Sequence, residues 1–277
     1  MAFIQVNMMS RCLFRTVNVN VIIPADKIQV PDPRGNEAFA VLDKFKTLYL
    51  LHGICGSQVD WLNNTKLQLW AEEKNLAVVM PAGDNRFYVD QPETNDYYGM
   101  FIGQELVEVT RRMFPLSRRK EDTYIGGLSM GGYGALRNGL LNYDTFGGIA
   151  ALSTANVADE SARQLPFLPE SYYRCIFGSG EEIRKRSNDI HDLIRRNAAE
   201  GKTDQKIFLA CGRDDSLLEG SHLLRDEFSE YGYDVTYIET PGGHEWDFWN
   251  ARIRDVIDWM PLFHSAQGLS SGHVGDL

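Results

Sequence analysis

The sequence lacks paired cysteine motifs, long apolar runs and a signal-peptide pattern. Its 277 residues include four cysteines and no Cys-x-x-Cys pair, which favours reduced, mostly buried thiols in a cytoplasmic protein over disulfides. No apolar run approaches the roughly 20 residues of a membrane-spanning helix. Residues 1–15 lack the basic start and continuous apolar core of a signal peptide. We therefore expect a protein without a membrane partner.

Positive charge and cofactor motifs are also scarce. The sequence has 28 Lys and Arg against 38 Asp and Glu, a formal net charge of −10, which disfavours nucleic acid and favours a small uncharged substrate. It has no phosphate-binding loop, dinucleotide fingerprint or cluster with metal-ligand spacing. His244 begins a His-Glu-x-x run, but Phe248 stands where a zinc site needs a second histidine. We expect no metal and no cofactor; the oligomeric state, a homo-oligomer included, stays open.

Apolar patterning predicts strands that alternate with helices. The expected strands cover residues 14–23, 45–51, 76–80, 123–125, 146–152, 206–211 and 235–239; the expected helices cover 67–74, 97–114, 190–199, 217–231 and 246–263. This order predicts an α/β fold with a mostly parallel central sheet flanked by helices. We expect one domain over 1–277. Residues 154–200 form a small cap insertion in this interpretation, and 265–277 a flexible tail.

The motif Gly-Leu-Ser-Met-Gly at residues 127–131 lies between a strand-like and a helical stretch. In that context it is typical of the nucleophile elbow of α/β-hydrolases. Glycine at positions 127 and 131 avoids collisions in a sharp turn. Ser129 would then stand at a helix N-terminus, which favours developing negative charge. The alternative is a glycine-rich helix start with a capping serine.

A serine nucleophile needs a histidine base and an orienting carboxylate, and this fold orders them Ser, Asp or Glu, His. Asp214 and Asp215 follow the expected strand at 206–211, and His244 follows the strand at 235–239. We favour Asp215, because by that position the loop has turned back over the sheet; Asp214 stays open. The alternative roles are turn formation or helix capping for the aspartates and a solvated loop position for His244.

Two backbone amides are the expected oxyanion donors. One belongs to Met130, the residue after the nucleophile, and the other to Ile54 in the glycine-containing loop 52–56. The alternative for this loop is a plain glycine turn. We expect His52 to order the loop rather than move protons, and Cys55 to pack as a small residue.

These motifs resemble the esterase D-like branch of the α/β-hydrolases, and most of all the bacterial tributyrin esterase and feruloyl (cinnamoyl) esterase group. The resemblance is carried by residues 51–53, 57–61, 81–84, 127–135 and 241–246, and covers about 14–263. It implies Ser129 as nucleophile, Asp215 as orienting acid and His244 as base, with the amides of Ile54 and Met130 as oxyanion donors. The loop 52–56 departs from the Ser-Gly-Leu-Thr-Cys loop of S-formylglutathione hydrolases.

The sequence thus predicts a serine carboxylesterase that hydrolyses short-chain or aromatic (feruloyl-type) acyl esters of small molecules through an acyl-enzyme. The alternatives are an acyltransferase, an S-formylglutathione hydrolase-type thioesterase and a non-catalytic binding protein. Aromatic side chains are the candidates for a substrate pocket: Trp61, Phe167, Tyr172 and Tyr173.

Overall fold

A computed structural model describes residues 1–26, 28–29, 44–155, 168–262 and 268–269. The strands in these ranges are β1 (Ala2–Ser10), β2 (Arg15–Ile23), β3 (Ile28–Gln29), β4 (Lys46–Leu51), β5 (Leu76–Pro81), β6 (Asp90–Gln91), β7 (Asp96–Tyr97), β8 (Thr123–Leu128), β9 (Gly148–Leu152), β10 (Lys206–Gly212), β11 (Asp234–Thr240) and β12 (Gly268–Leu269). The helices are α1 (Asp60–Asn64), α2 (Leu67–Glu73), α3 (Tyr98–Met100), α4 (Leu106–Met113), α5 (Met130–Leu141), α6 (Glu170–Phe177), α7 (Glu181–Lys185), α8 (Ile190–Ala199), α9 (Leu218–Glu230) and α10 (Trp246–Trp259).

One eight-stranded sheet organises the molecule, in the order β1-β2-β5-β4-β8-β9-β10-β11. The strands from β5 to β11 in this order pair in parallel, whereas β1–β2 and β2–β5 are antiparallel. The predicted mostly parallel sheet flanked by helices is therefore confirmed. Because the carboxyl ends of the parallel strands share one edge, the loops after β4, β8, β10 and β11 come together there.

Apolar residues on alternate strand positions form a separate core on each side of the sheet. In β4, Tyr49 and Leu51 pack with α4, α5, α8 and α9, while Leu48 and Leu50 pack with α2 and α10. The central strands are buried on both faces, as helices on both sides of a parallel sheet require. The loop-borne side chains thus stand on a rigid base.

Several expectations need correction. Strand β1 is absent from the predicted strands; its exposed side chains at every second position accompany pairing with β2. The predicted helix at 97–114 is divided into α3, a π-helical turn (Phe101–Glu105) and α4. Only Cys211 of the four cysteines is buried; Cys12 is half-buried, and Cys55 and Cys175 are exposed. The expectation of mostly buried thiols is therefore wrong.

The predicted cap segment, 154–200, lies partly outside the described residues, at 156–167, and the tail at 265–277 is described only at 268–269. The described part of the cap contains α6, α7 and α8. Buried Arg137 of α5 holds residues 186–188 of this segment in place. Its guanidinium donates hydrogen bonds to the Arg186 and Ser187 carbonyls and to Asn188 Oδ1, at 2.9–3.1 Å. Tyr133 of α5 also donates, to the Asn188 carbonyl at 2.6 Å.

Within the described part of the chain, no helix combines the length and the apolar character needed to cross a membrane.

Candidate active site

Ser129 occupies a strained turn between β8 and α5. Its φ is 53° and its ψ is −116°, a conformation that is costly for a residue with a Cβ. The turn is tight, because a Cβ at position 127 would collide with the Gly131 carbonyl, and one at position 131 would lie 2.5 Å from the Leu51 oxygen. The glycines of the motif are therefore required by close backbone approach, as the sequence predicts.

Ser129, His244 and Asp215 form a continuous hydrogen-bonded chain. His244 Nε2 lies 3.0 Å from Ser129 Oγ, and His244 Nδ1 lies 3.0 Å from Asp215 Oδ2. The Asp215 side chain is fully buried, whereas that of His244 is 36% exposed. The structure thus brings together the three residues proposed for the triad, whereas Asp214 is exposed.

The two loops that carry His244 and Asp215 are bound to each other through their backbones. The Arg213 amide donates to the Thr240 carbonyl at 2.9 Å, and the Asp214 amide donates to the Gly242 carbonyl at 3.0 Å. Gly242 has a φ of 136°, which favours glycine. These contacts fix the separation between the imidazole and its carboxylate.

Hydrogen bonds hold Asp215 in its charged form. Burial alone would raise the pKa of this carboxyl group, but the bonds from His244 and from the Leu217 amide, at 2.9 Å to Oδ1, outweigh that penalty and lower the pKa. Ser153, which lies beside Asp215, lowers it further. A charged Asp215 favours the proton on His244 Nδ1, which leaves Nε2 free to accept the proton of Ser129.

His52 orders the loop that carries Ile54. The Gly83 amide donates to His52 Nε2 at 2.9 Å, so Nδ1 carries the proton and donates to the Gly53 carbonyl at 2.7 Å. Burial lowers the pKa of His52, although the bond to Gly53 partly opposes this shift. His52 is therefore a neutral structural residue near pH 7.

The amides proposed as oxyanion donors have no hydrogen-bond partner among the described residues. No hydrogen bond between described residues uses the amide of Ile54 or of Met130. The next amide in the loop, that of Cys55, donates to Asn85 Oδ1 at 2.8 Å, and Cys55 has a φ of 61°. Ile54 and Met130 thus retain donors beside Ser129.

A cavity of about 240 Å³ opens over this site. Its described lining consists of Gly53, Ile54, Cys55, Gly56, Asp60, Leu128, Ser129, His244, Trp246 and Trp249. The ring of Trp249 meets the His244 imidazole edge-on, with 4.9 Å between the ring centres. A larger cavity, of about 730 Å³, lies near the amino ends of β4, β5 and β8, at the end of the sheet opposite Ser129.

Three of the aromatic residues proposed for the pocket, Trp61, Tyr172 and Tyr173, are not among the described residues that line it. Trp61 is 1% exposed and donates from Nε1 to the Leu51 carbonyl at 3.0 Å, behind Trp246. Tyr173 is buried against Phe177, and the Tyr172 hydroxyl donates to the Asn85 carbonyl. Phe167 lies outside the described residues.

The sequence interpretation misses Asp60, Trp246 and Trp249 as lining residues. Asp60 is the neighbour of Trp61 in sequence, and Trp246 follows His244 closely, but periodicity alone does not show which side of a short helix faces a cavity.

The family model described as "Putative esterase" matches residues 26–260. The chain belongs to this esterase family. It is 40% identical over 265 residues to an acetyl esterase of Caldicellulosiruptor saccharolyticus, a match that covers 94% of this chain and 98% of the relative. These similarities confirm the predicted family and carboxylic ester hydrolase activity.

Solved structures agree with this assignment. The esterase superimposes with a TM-score of 0.80 on FphF, a fluorophosphonate-binding serine hydrolase of Staphylococcus aureus, with 27% identity over 94% of this chain and 98% of that one. An S-formylglutathione hydrolase (FrmB) of the same organism gives the same values. The α/β-hydrolase fold is therefore confirmed.

Proposed function

We propose that this esterase is a serine carboxylesterase that works through an acyl-enzyme. His244 takes the proton of Ser129 as its oxygen attacks the ester carbonyl, and the amides of Ile54 and Met130 bind the resulting oxyanion. As the tetrahedral intermediate collapses, His244 protonates the leaving alcohol. Water, activated by the same imidazole, then releases the acid and regenerates Ser129. Asp215 stabilises the imidazolium in both halves of the cycle.

The hydrogen-bonded chain from Ser129 through His244 to Asp215 carries this proposal. Nucleophile, base and orienting acid lie within hydrogen-bond reach in the order that the mechanism needs. The strained elbow adds support, because a non-glycine residue persists in such a conformation only where the surrounding structure imposes it. FphF, which is named a serine hydrolase, supports it independently.

We propose short-chain acyl esters as the substrates. The cavity of about 240 Å³ is smaller than the roughly 300–1,000 Å³ of pockets for drug-sized ligands. The relative named acetyl esterase supports the same choice. Tyr172 and Tyr173, the residues predicted to bind an aromatic acyl group, do not line the described cavity. The cytoplasmic location stays a prediction from the sequence.

A thioesterase acting on S-formylglutathione is the second candidate, because FrmB is similar at 27% identity. The two candidates differ in leaving group, so kcat/KM for S-formylglutathione and for 4-nitrophenyl acetate separates them. An acyltransferase differs in acceptor, and acyl transfer exceeding hydrolysis at low alcohol concentration would favour it.

Replacement of the nucleophile tests the mechanism. Ser129→Ala should lower kcat for 4-nitrophenyl acetate by about 10⁶-fold, as in other serine hydrolases, and abolish labelling by a fluorophosphonate probe. Ser229→Ala, an exposed position on α9, serves as the control and should retain both. Near-normal turnover by Ser129→Ala would refute the serine mechanism.

A further inference from the structure

The cavity beside Ser129 contains a carboxylate that the proposed mechanism does not use. Asp60, the first residue of α1, is half-buried in the cavity wall. Its Oδ1 accepts a hydrogen bond from Ser57 Oγ at 3.2 Å. No ion pair formed by the described residues includes Asp60. Among the described residues, its carboxylate therefore has no cationic partner in salt-bridge contact.

Asp60 follows closely after loop 52–56, which carries the proposed oxyanion donor Ile54. A Cβ at position 56 would collide with Asp60 Oδ2, and one at position 53 would lie 3.6 Å from Ser129 Cβ. The Gly56 amide donates to the Gly53 carbonyl at 3.2 Å and closes the turn between them. The carboxylate is thus separated from the nucleophile by a single tight turn.

The rest of the described lining offers aromatic surface. Trp246 and Trp249 meet edge to face, with 5.2 Å between their centres, and the described lining includes neither lysine nor arginine. Indole faces and a carboxylate are the groups that attract a cation in proteins, and they attract quaternary ammonium ions in particular. An anionic group on the alcohol would meet repulsion from Asp60, and the described lining has no lysine or arginine to offset it.

We propose that the site prefers acetyl-type esters of small cationic alcohols, with Asp60 as the specificity determinant. This inference rests on the proposed function, because it assumes that the ester carbonyl lies at Ser129. A short acyl group such as acetyl carries no charge. The cationic group that Asp60 attracts therefore has to belong to the alcohol part of the ester. Asp60 attracts the ammonium group, and Trp246 contributes its partly exposed indole.

Three thioacetates of similar size test the charge preference. They are acetylthiocholine, its uncharged carbon isostere 3,3-dimethylbutyl thioacetate, and anionic S-acetylthioglycolate. The wild-type esterase should favour the cation over the isostere by about 3- to 30-fold in kcat/KM, the range for one partly screened charge pair, and should hydrolyse the anion least. Added salt should reduce the preference.

Asp60→Asn should bring the cation-to-isostere ratio of kcat/KM close to one, because it removes the charge that distinguishes the two compounds. Asp234→Asn is the matched control: it removes the same charge from the exposed start of β11, at the far end of the sheet, and should leave the ratio unchanged. A merely structural role for Asp60 would lower kcat/KM for all three compounds in proportion. If Asp60→Asn fails to fold, the wild-type ratio still tests the inference, because equal hydrolysis of cation and isostere would exclude Asp60 as a specificity determinant.

Equal hydrolysis of cation and isostere by the wild-type enzyme, or a ratio unaffected by Asp60→Asn, would overturn the inference while leaving the esterase mechanism intact. Failure to hydrolyse the uncharged isostere and 4-nitrophenyl acetate would instead count against the proposed function itself.

Discussion

Asp214 and Asp215 are adjacent in sequence and have opposite surroundings. Asp215 is 5% exposed and accepts hydrogen bonds from His244 and from the Leu217 amide, whereas Asp214 is exposed. We expect Asp215→Asn to lower kcat by about 10⁴-fold, because the amide favours the wrong imidazole tautomer. Asp214→Asn should change kcat less than about twofold, since a surface charge away from the nucleophile contributes little. Steady-state hydrolysis of 4-nitrophenyl acetate measures both.

Equal losses in the two variants would contradict the assignment of Asp215. If only Asp214→Asn lowered kcat, Asp214 rather than Asp215 would be the residue that orients His244. Circular dichroism spectra of both variants show whether either change disturbs the fold instead.

His52 should make the stability of the esterase depend on pH. The unfolded chain protonates this histidine near pH 6.5, whereas burial lowers the pKa in the folded state. Between these two pKa values the unfolded state binds more protons, so the free energy of unfolding decreases as the pH falls. His52→Gln keeps an acceptor for the Gly83 amide and removes the titration.

Urea unfolding of wild type and His52→Gln, at about pH 7 and about pH 5, measures this difference. The variant should lose less stability than the wild type over this interval. An identical loss would show that His52 does not titrate differently in the two states.

At the scale of elements, the elbow depends on the absence of a Cβ at position 131. Gly131→Ala should destabilise the protein by about 1–3 kcal/mol, because the new methyl group meets the backbone oxygens of Leu51 and His52 at 2.5 and 2.7 Å. Gly220→Ala should stabilise it by up to about 1 kcal/mol, because position 220 lies in α9 and a methyl group added there has no neighbouring atom within 4 Å. Chemical denaturation measures the free energy of unfolding of both variants. If both substitutions changed it in the same direction, the close backbone contact at position 131 would not explain the effect.

The elbow and the hydrogen-bonded chain of the proposed triad could be predicted from the sequence because their signals are local. Gly127, Ser129 and Gly131 lie within one turn, and Asp215 and His244 each follow a strand that its apolar pattern reveals. The cavity wall depends instead on tertiary packing. The packing of α1 against α10 decides whether Trp61 or Trp246 lines the cavity. Sequence periodicity does not encode that packing. The π-helical turn at 101–105 likewise interrupts a regular apolar pattern.

At the scale of the whole molecule, β1 extends the sheet beyond the strands that the sequence indicates. Met8 is 7% exposed and belongs to the core, while Met9 is 57% exposed. Met8→Ala should cost about 2–5 kcal/mol through lost burial and the cavity that remains. Met9→Ala should stay within about 0.5 kcal/mol of wild type. Denaturation midpoints of both variants test the register of β1 on β2, and similar costs would contradict it.

Strand β1 is not among the predicted strands, although Ile4, Val6 and Met8 alternate with Gln5 and Asn7. The apolar residues Phe3 and Met9 interrupt this alternation at its two ends. Pairing with β2 places Ile4, Val6 and Met8 towards the core and leaves Phe3 and Met9 exposed. The general order of strands and helices is thus predictable, whereas a short alternation at the edge of a sheet is easily missed.

The hydrogen bonds from Arg137 and Tyr133 to residues 186–188 have a mechanical consequence. They attach residues 186–188 of the predicted cap to the helix that begins directly after Ser129. Breaking them would cost the buried guanidinium of Arg137 three of its hydrogen bonds, although Asn138 and Asp90 remain as its partners. Residues 186–188 are therefore held against α5 at several points. Any displacement of this segment would strain the helix that begins at the elbow, so we expect residues 186–188 to move with Ser129 as one rigid unit.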